Sequence, residues 1–127
     1  MGASEGIVWF LRAAEEDLGT ARLIVLEGRV SHATAPDLEK ALSRPFTAGR
    51  PVIVDLTGVD YMNGAGLRVF EAAAARCNGS GSQLVICGLR PAVHAAFRLV
   101  GEIPHLVAAD SRDDALAAAF SAKADSR

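Results

Sequence analysis

The side chains able to do chemistry are few and scattered. There are three histidines (His32, His94, His105), two cysteines (Cys77, Cys87), an acid at the end of an apolar run (Asp55), and the stretch Asn63-Gly64-Ala65-Gly66. A metal site needs several ligands at short helical or loop spacing. No set of several histidines, cysteines and acids stands at that spacing, so His32 reads as a solvated loop residue and His94 as a helix residue. No Ser-His-Asp or Cys-His set assembles. Asp55 invites comparison with a phosphate-accepting carboxylate, which also needs paired acids after the first strand and a lysine after the last. The first two strand-like runs end instead in Ala13-Ala14 and Glu27-Gly28, and the lysines are Lys40 and Lys123. Asp55 is therefore expected to accept hydrogen bonds from backbone donors at a turn. Cys77 and Cys87 read first as small core side chains. The chemistry open to them is redox control, through a disulfide that needs Cα atoms within ~7 Å. Catalysis is not expected, nor is a cofactor or a metal.

The glycine-rich stretch is the most informative. Asn-Gly between apolar residues is a strong hairpin signal, but Leu67-Arg68-Val69-Phe70-Glu71 and four alanines follow it. That pattern is helical, so the stretch is expected to be a strand-to-helix turn with Asn63 as the helix cap. Gly64-Ala65-Gly66 lacks the third glycine of a dinucleotide fingerprint, and no Gly-Lys-Ser/Thr follows. The junction thus has no hydroxyl, thiol, imidazole or acid with which to react.

The elements that must position this turn follow from periodicity and punctuation. "VWFLRAA" and "ARLIVLEG" are strand-like, joined by the polar "EEDLGT" as a hairpin connection. Thr34 or Ser31 is placed to cap a helix through Leu38, Ala41 and Leu42, with Pro36 in its first turn. "RPVIVDLTG" is a buried strand expected to end at Thr57-Gly58. "GLRVFEAAAARC" is a helix closed by "NGSGS", followed by strand "QLVICGL", helix "RPAVHAAFRLVG", strand "HLVAA" and a capped terminal helix from Asp110. The order ββαβαβαβα predicts an α/β fold: a mixed sheet of about five strands, parallel after the opening hairpin, with short right-handed crossovers. The last residues, "KADSR", are expected to fray.

Length and composition narrow the field. With 127 residues, half of them hydrophobic, the chain suffices for one domain and no more. A net charge of −2, with eleven scattered arginines among thirteen basic residues, gives no stripe for nucleic acid. No apolar run approaches the ~18 residues of a membrane span. "MGASEGIVWFLR" lacks the basic start of a signal peptide, and Gly6 stands where a myristoylation pattern wants Ser or Thr. The expected location is the cytoplasm.

The element order, with "LEGRVSHATAPDLEKAL", "PVIVDLTGVDYMNGAGLRVF" and "LVICGLRPAVHAAFRLVG", resembles the STAS domain, in particular the bacterial anti-sigma factor antagonists. The resemblance runs over about residues 8–120 of a single domain spanning 1–127, with helices mainly on one face of the sheet. It implies a non-catalytic protein-binding regulator of transcription whose partner is an anti-sigma factor of the kinase type. Members of that family carry Asp-Ser-x-Gly-Leu at the turn; phosphorylation of the serine by that partner breaks the complex. The motif falls on Asn63, Gly64, Ala65, Gly66 and Leu67, so the acid and the phosphate acceptor are both replaced. The resemblance then implies binding independent of phosphorylation through this degenerate turn, with Arg68, Glu71, Ser31, His32 and Thr34 as additional partner surface. Two other uses fit a STAS domain: an interaction module within a signalling or lipid-transport assembly, and a ligand sensor. The oligomeric state is open between monomer and weak dimer.

Overall fold

The computed structural model describes residues 10–125. Its five strands form one sheet: β1 (Leu11–Asp17), β2 (Arg22–Val30), β3 (Val52–Met62), β4 (Leu84–Cys87) and β5 (Leu106–Ala109). Their spatial order equals their order in the chain. β1 lies antiparallel to β2, and β2 to β5 run parallel. Between and after them come α1 (Ala35–Ala41), α2 (Gly64–Gly79), α3 (Pro91–Val100) and α4 (Arg112–Asp125), in the ββαβαβαβα order predicted above.

The placement of the helices follows from handedness. Three successive right-handed crossovers that all advance the same way across a sheet must pass over the same face. Accordingly α1, α2 and α3 bury Leu38, Phe70, Ala73, Cys77 and Val93 against Ile24, Leu26, Val54 and Ile86. α4 follows β5 and lies on the other face, where Ala115 and Ala119 meet Leu23, Ile53, Val85 and Cys87. Residues of β4 alternate between the two clusters, as the period of a strand requires. Both faces of the central strands are covered, which is why the start of β3 and the whole of β4 read as apolar runs.

Three local expectations are corrected. The first strand is shifted: Glu15-Glu16-Asp17 belongs to β1 and not to the connection, which is the tight turn Leu18–Ala21 with Gly19 at φ 81. Glu15 and Asp17 are stable in a strand because arginines from elsewhere neutralise them. Glu15 accepts from Arg22 Nε (2.8 Å) and Arg44 (2.6 Å), and Asp17 pairs with Arg50. Val8 and Trp9, where that strand was expected to begin, lie outside the described residues, as do Ser126 and Arg127 of the expected frayed end. Second, Thr57-Gly58 does not end the third strand. β3 continues to Met62 through irregularities in its pairing with β2. Gly58 is needed there because a Cβ would stand 2.9 Å from the Leu26 carbonyl oxygen. Third, Thr34 occupies the cap position of α1 without capping it. Its hydroxyl accepts from the Ser31 amide (2.9 Å) and donates to the Arg29 carbonyl (2.7 Å), closing the β2–α1 loop on itself.

Candidate functional site

The long β3 carries the chain past the ends of its parallel neighbours and delivers it to α2. Asn63 is the cap, as expected: with φ −121° and ψ −172° it is extended, and its Oδ1 accepts from the Ala65 amide (3.0 Å). Its own amide donates to the Val30 carbonyl (3.2 Å), which ties the start of the turn to the end of β2. The Gly66 and Leu67 amides donate to the Asn63 carbonyl and begin the helix.

Within the turn the five motif positions separate into two groups. Gly66 and Leu67 are buried and anchor it. A Cβ on Gly66 would meet Val30 Cγ1 at 2.5 Å and Met62 Cγ at 3.0 Å, so this glycine is required by packing. Gly64 is the opposite case. It is exposed, its φ is outside the left-handed region, and a Cβ there would meet only the Arg68 guanidinium, at 3.9 and 4.0 Å. The accessible part of the turn is thus Asn63, Gly64 and Ala65. Gly66 and Leu67 are corrected from contact residues to supports.

The expected additional surface is also partly gathered. His32, Ala65, Arg68 and Arg76, with Pro36 and Glu39, line a groove of about 670 Å³ between α1 and α2 that opens beside the turn. His32 is exposed and Ser31 half-buried, its Oγ accepting from the Ala33 amide (3.2 Å). Thr34 is 3% exposed with its hydroxyl fully engaged, so it supports the loop and presents nothing to a partner. Glu71 is exposed on α2 but does not line the groove.

The core reading of the cysteines holds, and the redox alternative is overturned. Cys77 sits in the core beneath α2 and Cys87 in the core beneath α4, on opposite faces of the sheet. Both are free and fully buried, and burial pushes each thiol up to about 11. They neither meet nor ionise, so they form no redox pair.

Asp55 does satisfy a backbone donor, the Thr57 amide (2.9 Å), together with the Thr57 hydroxyl (2.6 Å). It has a further partner that spacing could not reveal: Arg112 Nε at 2.6 Å, from the first turn of α4. Burial acts to raise its carboxyl, but the Thr57 bonds and the Arg112 cation outweigh it and hold the pKa below the ordinary value. This ion pair fastens the terminal helix to the middle of the sheet. Among the described residues, no group of three or more His, Cys, Asp or Glu is placed to hold a metal, and no helix is long and apolar enough to cross a membrane.

Known proteins share this arrangement. The STAS domain model matches residues 13–115. The Bordetella bronchiseptica protein named "Putative anti-sigma factor antagonist BtrV" is 37% identical over 94 residues, which is 73% of this chain and 81% of that protein. Among solved structures, an anti-sigma factor antagonist from Mycobacterium paratuberculosis superposes with a TM-score of 0.70 at 23% identity, covering 87% of this chain and 94% of that one. SpoIIAA, an anti-sigma factor antagonist in its unphosphorylated form, gives 0.64 at 14% identity, covering 87% and 97%. At those identities the structural likenesses speak for the fold, and the sequence matches for the family. The chain belongs to the STAS domain family.

Proposed function

We propose that this protein is an anti-sigma factor antagonist that works in the cytoplasm, binding an anti-sigma factor of the kinase type without being gated by phosphorylation at the β3–α2 turn. One observation carries the reading. The exposed first residue of α2, the position that matches the phosphate acceptor of the resembling antagonists, is Gly64, and residues 62–69 contain no Ser, Thr or Tyr. The name of the Bordetella relative supports the antagonist role, and Bacillus SpoIIAA, which shares the fold, has been solved in phosphorylated and unphosphorylated forms. A helix N-terminus suits such a switch because its free N–H groups and positive dipole end tolerate a phosphate that a closely packed partner does not. With glycine there, the surface keeps one charge state. Asn63, Gly64 and Ala65, the rim formed by Arg68 and His32, and the groove between α1 and α2 are the proposed contact.

The test is reconstitution. The purified chain and a kinase-type anti-sigma factor from the same cell should form a complex that ATP leaves intact, with no phosphate found on residues 62–69. Failure to bind any such factor sinks the antagonist reading. A complex that ATP dissolves by modifying another residue sinks the independence from phosphorylation and leaves the antagonist role standing.

A further inference from the structure

The outer edge of β1 is an open edge of the sheet among the described residues. Which backbone groups it offers follows from the ladder on its inner side. The Phe10 carbonyl accepts from Arg29 N–H (2.9 Å) and Leu18 N–H donates to the Ala21 carbonyl (2.9 Å). The even-numbered residues between them therefore turn their N–H and C=O groups toward β2, and Leu11, Ala13, Glu15 and Asp17 turn theirs outward. A second β1 docking here antiparallel must pair odd residues with odd.

That parity leaves few symmetric registers, and one of them matches side chains throughout. Centred on Ala14, it sets Phe10 opposite Leu18, Arg12 opposite Glu16, and Ala14 opposite itself. These even pairs are the ones without direct backbone bonds, where side chains approach most closely. Phe10 and Leu18 are among the large apolar side chains left in solvent, 39% and 36% exposed, and they flank the strand at its two ends. Arg12 lies 5.3 Å from the Phe10 ring centroid and has only a 4.0 Å approach to Glu27, with both side chains mostly exposed. On the other face of β1, Arg22, Arg44 and Arg50 already neutralise Glu15 and Asp17, so two copies do not bring bare acids together. Moving the centre by one residue puts Arg12 opposite Ala14 or Leu18 and loses both the charge match and the apolar match. Charges on an edge strand ordinarily repel further pairing; here they complement their own image.

We propose that β1 pairs antiparallel with β1 of a second copy in this register, joining two five-stranded sheets into one. The contact does not involve the turn at residues 63–67, so the dimer leaves the surface described above available.

Sedimentation equilibrium of the full chain, from about 10 μM to about 1 mM, should show a monomer–dimer equilibrium, in keeping with so small an interface. Arg12→Glu or Glu16→Arg alone turns two symmetric attractions into two repulsions and should weaken self-association about tenfold or more. The two changes together should restore it. Ala13→Pro removes an outward N–H without touching the β2 ladder, and should abolish the dimer while circular dichroism stays native. Should that variant misfold, the charge exchange still decides. A monomer at every concentration overturns the proposal, and so does a dimer indifferent to these changes or a double variant that fails to recover.

Discussion

At Gly64 and Gly66, two glycines two residues apart meet opposite constraints, and their substitution should separate cleanly. Gly64→Ala replaces a flexible residue by a good helix former at an open position with ordinary φ, so thermal denaturation should show a gain of about 0.5–1 kcal/mol. Gly66→Ala drives a methyl into Val30 and Met62 and should lose about 1–3 kcal/mol. Gly64→Asp keeps the fold but puts a charge into the proposed contact. Anti-sigma factor affinity should fall by roughly one to several kcal/mol, and unchanged affinity by calorimetry would move the contact elsewhere. The paired change Asn63→Asp with Gly64→Ser rebuilds the antagonists' motif on a backbone that accepts it. Phosphate transfer to the new serine, followed by release, is the expected result; tight binding with no transfer would show that the surrounding surface has diverged too. Asp55 allows a test by pH. Its folded pKa lies below the ordinary carboxylate value, so its contribution is present above the unfolded pKa and is lost as pH falls through the folded one. Asp55→Asn should cost about 1–3 kcal/mol at neutral pH, and the gap to the parent should close on acidification. A gap independent of pH would assign the cost to the amide's geometry and not to charge.

The elements differ in how openly the sequence announces them. β4 is apolar from end to end and β3 opens with an apolar run because helices cover both faces, and α2 is bounded by an asparagine that caps it as expected. Their order alone gives the sheet its parallel sense. β1 was displaced because its exposed, charged residues look like a connection, and the arginines that settle Glu15 and Asp17 come from β2, from the segment after α1 and from the residues before β3. Thr57-Gly58 has the composition of a turn, yet the same composition serves an irregularity within a strand. Of the site, the capped turn and the anchoring of Leu67 were legible and the burial of Gly66 and Thr34 was not, since burial depends on which strand lies alongside. The Asp55–Arg112 pair, 57 residues apart, leaves no local trace at all. The β1–β2 pairing hinges on Arg22, only 3% exposed, which meets Glu15 through Nε (2.8 Å) and a terminal nitrogen (3.1 Å). Glu15→Ala strands that buried cation and should cost about 2–4 kcal/mol in chemical denaturation. A loss under 1 kcal/mol would mean that the Pro45 carbonyl, also bonded to Arg22, suffices.

On the scale of the whole molecule, the two thiols become reporters of unfolding. With both buried and their pKa values raised to about 11, alkylation of the native chain near neutral pH should proceed only through opening of the fold. The labelling rate should rise with denaturant in step with loss of structure. Rapid labelling of the native state would show that one face of the sheet opens on its own. The identity of spatial and chain order in the sheet has a further consequence, for a chain still being made. Each strand leaving the ribosome finds its neighbour already outside, and no early strand waits for a late one to slip in beside it. Every residue that lines the β3–α2 turn and the adjoining groove lies before β4, so all of them have been synthesised while the last βα units are still being translated. The opposite face has no such fortune. Leu23 and Ile53 are synthesised long before Ala115 and Ala119 arrive to cover them, and for that interval the nascent chain displays an apolar strip to whatever holds unfinished proteins in solution.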